Sequence, residues 1–179
     1  MMKIQLLKIP FILFVIILSI FFYLLIIDRN PSRVPSALLD NTAPDFEANA
    51  LLKNEKVYSS KEFGNEITLV NFFSSWCKPC KDEHVYIKRF LNEDGLKIIG
   101  INYKDNPEKA RKWLKKLGNP YSNIAIDKNG KIAIDWGVYG IPETFVVNSE
   151  GIIKYRYVGP INQKIYRKIN LLIKELEKL

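Results

Sequence analysis

The feature that most constrains the fold is an apolar segment that leads directly into a pair of cysteines. Ile67–Phe73 is nearly continuous in apolar and β-prone residues, as expected of a strand that is buried on both faces. A helix is predicted from about Cys77 to Asn92, closed by Gly95. The sequence Trp-Cys-Lys-Pro-Cys at positions 76–80 therefore lies at a junction between a buried strand and a helix.

The position of the two cysteines favours redox chemistry. The first turn of a helix has unpaired backbone N–H groups and a positive dipole end, which lower the pKa of a thiol at Cys77. Cys80 lies one turn further on, close enough to close a small ring, and Pro79 falls where its missing N–H costs nothing. A disulfide across two residues stabilises a fold little, so we interpret the pair as one that cycles between dithiol and disulfide.

A metal site is the alternative interpretation of the same helix. Cys77, Cys80 and His84 recur at i, i+3 and i+7, on one helical face, and His84 is the only histidine. Structural zinc needs four ligands, and the chain holds no further cysteine or histidine. Two thiolates alone could still hold copper(I), which leaves a copper(I)-binding metallochaperone open as a second function. Under the redox interpretation we expect neither a metal nor a cofactor.

The rest of the chain alternates strands and helices. In chain order, the further elements that we predict are a small hairpin of Phe46–Leu52 and Lys56–Tyr58, a strand at Leu96–Ile101, a helix at Pro107–Leu117, a strand at Ser122–Ile126, a turn at Asp127–Gly130, an antiparallel hairpin of Thr144–Val147 and Ile152–Val158, and a helix at Gln163–Leu179. This order predicts an α/β fold, a mixed sheet with helices on both faces.

Near its N-terminus the chain has a segment suited to a membrane. Ile9–Ile27 is 19 residues long, carries no charge, and only Pro10 and Ser19 are neither apolar nor aromatic. A helix of this length spans roughly the 30 Å hydrocarbon core of a bilayer. The segment has no polar stripe, is longer than the hydrophobic part of a signal peptide, and is followed by no clean cleavage site. We therefore expect one uncleaved transmembrane helix that anchors the chain.

These segments divide the chain into four parts. We expect a short cytoplasmic tail at 1–8, the transmembrane anchor at 9–27, a proline-containing linker at 28–45 and a folded domain at 46–179. Lys3 and Lys8 precede the anchor, while Arg29 and Arg33 follow it, so the positive-inside rule is nearly balanced. Because the N-terminal tail is very short and positively charged, we expect it to lie on the cytoplasmic side, which places the domain outside the cytoplasm.

Composition excludes several classes of protein. With 47% apolar residues the chain is too hydrophobic to be disordered overall, and with 26% charged residues it does not cross a membrane many times. The net charge of +8 comes from basic residues that are spread along the chain rather than concentrated in one run. Such a spread indicates a solvated surface, and we expect no nucleic-acid partner.

The motifs together resemble one protein family. The buried strand, the Trp-Cys-x-Pro-Cys motif and Ile141-Pro142 before a later strand resemble the thioredoxin fold. Five stretches resemble, more specifically, the cytochrome c biogenesis thiol:disulfide interchange proteins, the CcmG/DsbE family; they are Cys80–His84, Gly100–Asp105, Trp113–Tyr121, Gly137–Phe145 and Gly151–Arg156. The similarity covers nearly the whole domain that follows the anchor.

The resemblance implies an activity, a place and partners. It implies a single-pass protein of the bacterial inner membrane, with a thioredoxin-like catalytic domain in the periplasm. That domain would act as a protein-disulfide reductase that keeps the haem-attachment cysteines of apocytochrome c reduced during cytochrome c maturation. A membrane thiol-disulfide transporter would be its electron donor. A general reductase of other envelope proteins remains an alternative with the same chemistry.

The resemblance also implies a set of site residues. The roles carried over are Cys77 as the nucleophile, Cys80 as the resolving thiol, Pro142 as the cis proline that shapes the substrate groove, and Glu83 and Glu143 as acidic residues beside the active site. We expect Cys77 to be exposed and Cys80 to be shielded. Glu143 could instead be a simple exposed strand residue.

One position departs from thioredoxin itself. Thioredoxin has a buried aspartate on the strand before the motif, and this chain has Asn71 there. An amide does not titrate, so deprotonation of Cys80 needs another base. Glu83 follows Cys80 by three residues on the same helical face. Burial would raise the pKa of Glu83 toward neutrality and suit it to proton transfer.

Overall fold

In a computed structural model of the protein, the described residues are 2–26 and 38–178, and they form two units. The first unit is helix α1 (Met2–Ile26), whose side chains are described from Ile9 to Leu24. Within the described part of the chain, no helix has both the length and the apolarity that crossing a membrane requires. The expectation of an anchor therefore rests on the sequence alone, and residues 27–37, including most of the expected linker, lie outside the described residues.

The second unit contains all the other described elements. In chain order they are β1 (Glu47–Asn49), β2 (Lys56–Tyr58), α2 (Ser59–Glu62), β3 (Thr68–Phe73), α3 (Lys78–Asn92), β4 (Lys97–Tyr103), α4 (Pro107–Leu117), β5 (Asn123–Asp127), α5 (Lys131–Asp135), β6 (Glu143–Val147), β7 (Ile153–Val158) and α6 (Gln163–Leu176). Helix α4 begins after Asn106, whose side chain accepts hydrogen bonds from the backbone N–H groups of residues 108 and 109, and ends at Gly118.

The larger sheet of this unit has the strand order β5-β4-β3-β6-β7. Strands β3, β4 and β5 run parallel, whereas β6 is antiparallel to β3 and β7 is antiparallel to β6. Every residue of the central strand β3 is buried, which agrees with its continuous apolar sequence. The predicted mixed sheet and its C-terminal hairpin are confirmed, and so is the small hairpin of β1 and β2.

Two hydrophobic cores cover the two faces of this sheet. Alternate residues of β3 serve different faces, because successive side chains of a strand point in opposite directions. Leu69 and Phe73 pack with helices α3, α4 and α6, whereas Val70 and Phe72 pack with α5 and Trp136. The prediction of helices on both faces is therefore confirmed, and Asn71 lies on the face that carries α3.

Two features differ from the sequence-based expectations. Helix α5 follows the predicted turn and was not predicted; it is short, and the carboxylate of Asp127 accepts hydrogen bonds from the backbone N–H groups of Ile132 and Ala133. Residues 40–43 belong to the segment expected to be a linker. Asp40 N–H donates to the carbonyl of Ile153, and Ala43 is buried in the second core.

Candidate active site

The two cysteines lie at the start of α3, as predicted, and form a disulfide. The S–S distance is 1.97 Å and the Cα–Cα distance is 5.3 Å. Cys77 is the N-cap residue, and its sulfur accepts a hydrogen bond of 3.1 Å from the backbone N–H of Cys80. The same donor and the positive end of the helix dipole would stabilise a thiolate at Cys77 once the pair is reduced.

Neither sulfur of the oxidised pair is exposed. The exposed fraction is 5% for Cys77 and 2% for Cys80, so the expectation of an exposed Cys77 is wrong for the disulfide form. The backbone carbonyl of Ile141 lies 3.9 Å from the Cys77 sulfur. An asymmetry remains, because Cys77 lines a surface cavity together with Trp76 and Trp113, and Cys80 does not. We refer to it as the Trp76–Trp113 cavity.

Glu83 is buried on the same helix, with an exposed fraction of 1%. Its Oε1 accepts a hydrogen bond of 2.9 Å from Nδ2 of Asn71, and its Oε2 accepts one of 2.9 Å from the backbone N–H of Ile161. Burial outweighs these two donors and raises the pKa of Glu83 from 4.5 to about 8. The expected direction of the shift is confirmed. The group can therefore bind and release a proton near neutral pH.

Asn71 holds Glu83 in place through a buried network. Besides donating to Glu83, its amide donates to Oγ1 of Thr144 at 3.0 Å and accepts from the hydroxyl of Tyr121 at 2.8 Å. Tyr121 reaches this position across β4 because Gly100 has no side chain; a Cβ there would lie 3.0 Å from the tyrosine ring. Asn71 thus supplies hydrogen bonds and no proton. Sequence reasoning missed Tyr121 and Thr144, which are distant from the cysteines in sequence.

Glu143 is the first residue of β6 and directly follows Pro142. Its exposed fraction is 0%, so the alternative of an exposed strand residue is wrong. The carboxylate forms an ion pair of 2.7 Å with Arg156 and accepts from the backbone N–H of Tyr139. Burial raises the pKa of Glu143, and Arg156 opposes that shift. Successive residues of β6 point to opposite faces, so Glu143 is directed away from Thr144 and from the network of Glu83.

This ion pair organises the loop that leads to Pro142. Arg156 also donates to the carbonyl of Gly137 at 2.8 Å, and its guanidinium lies 5.1 Å from the ring centroid of Tyr139. The peptide bond between Ile141 and Pro142 is cis, as expected. The loop therefore presents the backbone of Ile141 to the Cys77 sulfur while Arg156 and Glu143 hold it from behind. No sequence pattern singled out Arg156.

Asp105 fixes the turn between β3 and the cysteines. Its carboxylate accepts hydrogen bonds from the backbone N–H and the hydroxyl of Ser75 at 2.6 and 2.8 Å, and from the amide of Asn102 at 3.0 Å. The indole N–H of Trp76 donates to the carbonyl of Lys104 at 3.2 Å. Polar residues that follow the carboxyl ends of adjacent parallel strands meet at one edge of the sheet, and that was the available signal for Asp105.

His84 does not join the cysteines in a metal site. One ring nitrogen, Nε2, is 2.9 Å from the carbonyl of Gly118, and the ring packs edge-on against Trp113 with 4.6 Å between centroids. Burial lowers the pKa of His84. Across residues 2–26 and 38–178, no group of three or more His, Cys, Asp or Glu is placed to hold a metal ion. The buried imidazole is a packing residue of α3.

Comparison with known proteins places these features in a family. The family model described as Redoxin matches residues 38–170. The chain is 38% identical over 167 residues to the thiol:disulfide interchange protein DsbE of Vibrio cholerae, covering 92% of this chain and 90% of that protein. It is 46% identical over 132 residues to the thiol:disulfide interchange protein CycY of Rhizobium leguminosarum, covering 74% of this chain and 71% of that protein.

The fold is also similar to solved structures. A putative thiol:disulfide interchange protein DsbE from Chlorobium tepidum superposes with a TM-score of 0.68 at 22% identity, covering 77% of this chain and 96% of that one. Identity at that level establishes the thioredoxin-like fold and nothing finer. The predicted fold of the domain is confirmed by this similarity together with the sheet order.

Proposed function

From the premise that this chain belongs to the redoxin family and to its DsbE/CycY thiol:disulfide interchange proteins, we propose that it reduces apocytochrome c in the periplasm. The chain is a thiol:disulfide oxidoreductase, and its redox pair is Cys77–Cys80. The observation that supports the redox chemistry is the placement of this pair at the start of a helix that also carries the buried Glu83, whose pKa burial raises to about 8. A protein disulfide is the substrate that this chemistry serves.

The proposed reaction proceeds in two exchanges. The Cys77 thiolate attacks one sulfur of the substrate disulfide, which forms a mixed disulfide and releases the first substrate thiolate. Cys80 then loses its proton and attacks the Cys77 sulfur, which releases the second substrate thiolate and closes the Cys77–Cys80 bond. Two electrons pass from the protein dithiol to the substrate. Glu83 accepts the proton of Cys80, since its raised pKa lets it act as a base near neutral pH.

We further propose that the chain is anchored in the inner membrane by Ile9–Ile27, with its domain in the periplasm. The uncharged apolar sequence of that segment and the short positive tail before it support this arrangement. A reporter that is active only in the periplasm, fused after Leu179, should be active. A silent periplasmic reporter, together with an active cytoplasmic reporter fused at the same position, would show that the proposed orientation is wrong. Electrons would come from a membrane thiol-disulfide transporter.

The substrate is tested with the reduced full-length protein in mild detergent. We compare its reduction of a disulfide-bonded peptide that carries the Cys-x-x-Cys-His haem-attachment motif of c-type cytochromes with its reduction of an unrelated disulfide-bonded protein. Faster reduction of the haem-attachment peptide is expected, and equal rates would favour a general reductase. Retention of near-stoichiometric copper(I) by the reduced protein would instead indicate the metallochaperone.

A further inference from the structure

We propose that the Trp76–Trp113 cavity binds a carboxylate side chain of the substrate polypeptide and so favours disulfides that have an acidic residue beside the reacting cysteine. This inference rests on the proposed action on a protein substrate and extends it to the sequence around the substrate cysteine. The cavity occupies about 280 Å³ next to the nucleophile. The residues that line it are Ser75, Trp76, Cys77, Lys78, Lys81, Trp113, Lys116 and Leu117.

The two aromatic walls of the cavity are held in fixed positions. Trp76 is 60% exposed, yet its indole N–H is bound to the carbonyl of Lys104. Trp113 stacks on Phe73, with 5.6 Å between ring centroids and an interplanar angle of 28°, and also contacts His84. A cavity with preformed walls loses little conformational entropy when a side chain enters it. The walls thus provide a binding site rather than a collapsed surface.

The charge of the cavity selects the chemistry of its occupant. Three of the lining residues, Lys78, Lys81 and Lys116, are lysines, and none of the eight is acidic. Among the ion pairs of the described residues, none involves these three ammonium groups. The nearby carboxylate of Asp105 is already occupied by Ser75 and its neighbours. The positive end of the α3 dipole adds to the same potential, so the cavity attracts an anion.

The location of the cavity determines where on the substrate that anion lies. Cys77 is itself a lining residue, so a peptide whose cysteine is bonded to Cys77 lies next to the cavity and can place a neighbouring side chain in it. On a polypeptide the anionic side chains are carboxylates. The occupant is therefore a glutamate or aspartate within about two residues of the reacting cysteine, since each extended residue spans about 3.3–3.6 Å.

The test uses pairs of disulfide-bonded peptides in which one peptide has a glutamate where the other has a glutamine. This position is varied over the two residues before the cysteine pair and the two residues after it. Second-order rates of reduction are measured with the reduced full-length protein in mild detergent. The variant is Lys116→Gln, which lies far from the cysteines in sequence and leaves α3 intact. Lys115→Gln is the matched control, because Lys115 lies in the same last turn of α4, is exposed and does not line the cavity.

At one or more positions the wild-type protein should reduce the glutamate peptide about twofold to fivefold faster than its glutamine partner at low ionic strength, as expected of partly exposed charge pairs. Lys116→Gln should lower that preference and Lys115→Gln should retain it. Addition of about 0.5 M salt should also reduce it. Equal rates for every pair, or equal effects of the two variants, would overturn the cavity proposal. Failure to reduce any of the peptides would instead overturn the proposed function.

Discussion

Replacing Glu83 by glutamine removes a buried titratable group while keeping its shape. The two carboxylate oxygens accept hydrogen bonds from the amide of Asn71 and from the backbone N–H of Ile161. A glutamine side chain has only one oxygen, so it can accept from one of these donors and must place its NH₂ group against the other. Rotation of the Asn71 amide by half a turn would supply the acceptor, and the hydroxyls of Tyr121 and Thr144 can adapt because each both donates and accepts. The fold should therefore be retained.

The pH dependence of stability gives the magnitude. The pKa of Glu83 is raised from 4.5 to about 8 in the folded protein. Between these values the folded state keeps the proton and the unfolded state has lost it, so the free energy of unfolding falls as pH rises. At about 1.4 kcal/mol for each pH unit, Glu83 lowers that free energy by roughly 3 kcal/mol between pH 5.5 and 8. Glu83→Gln lacks this contribution.

Urea unfolding of the oxidised protein, followed by tryptophan fluorescence, measures the effect. In the disulfide form the cysteines do not titrate, and all three tryptophans lie in the domain. The titration of His84 is common to both proteins and cancels in their difference. The free energy of unfolding of Glu83→Gln, relative to that of wild type, should rise by roughly 3 kcal/mol from pH 5.5 to 8. Asp82→Asn, at an exposed position of the same helix, should follow wild type. Parallel wild-type and Glu83→Gln curves would refute the reasoning.

Three further outcomes are expected. In stopped-flow reduction of a substrate disulfide between pH 5 and 9, Glu83→Gln should be slower by a factor on the order of 10² and less dependent on pH than wild type, and superimposable profiles would exclude proton transfer. Arg156→Gln leaves Glu143 buried without its partner and should lower the free energy of unfolding by about 3–5 kcal/mol. Lys154, on the same strand, forms an ion pair with the exposed Asp40, so Lys154→Gln should lower the free energy of unfolding by at most about 1 kcal/mol. Equal losses in the two variants would contradict the special contribution of the buried pair. Asp105→Ala should cost about 1.5–3 kcal/mol in the same urea assay, and an unchanged midpoint would contradict its role in holding the turn.

Most of the fold follows from local sequence patterns. Strand β3 is recognisable from its continuous apolar run, and α4 from the proline at its start and Gly118 at its end. Helix α5 escaped prediction because five residues carry little periodicity and its first turn is bonded by Asp127 from the preceding strand. A cap supplied from outside the helix leaves no signature within the helical segment.

The active site divides in the same way. Cys77, Cys80 and Glu83 occupy consecutive turns of one helix, so their spacing in the sequence was sufficient to bring them together. The burial of Glu143 depends on its pairing with Arg156 on the next strand, and no local pattern distinguishes an exposed from a paired carboxylate at that position. Contacts between residues that are distant in sequence, rather than weak local preferences, account for the part that was missed.

Trapping of the mixed disulfide tests the central claim most directly. The Cys80→Ala variant keeps the nucleophile and lacks the resolving thiol, so with an oxidised apocytochrome-derived peptide it should accumulate one covalent adduct at Cys77. Cys77→Ala retains only Cys80, which is buried and does not line the surface cavity, and should accumulate almost none. Mass spectrometry of a non-reduced digest locates the bond. An adduct at Cys77 in the first variant alone is the predicted result, and equal adducts in both variants, or none in Cys80→Ala, would contradict the account.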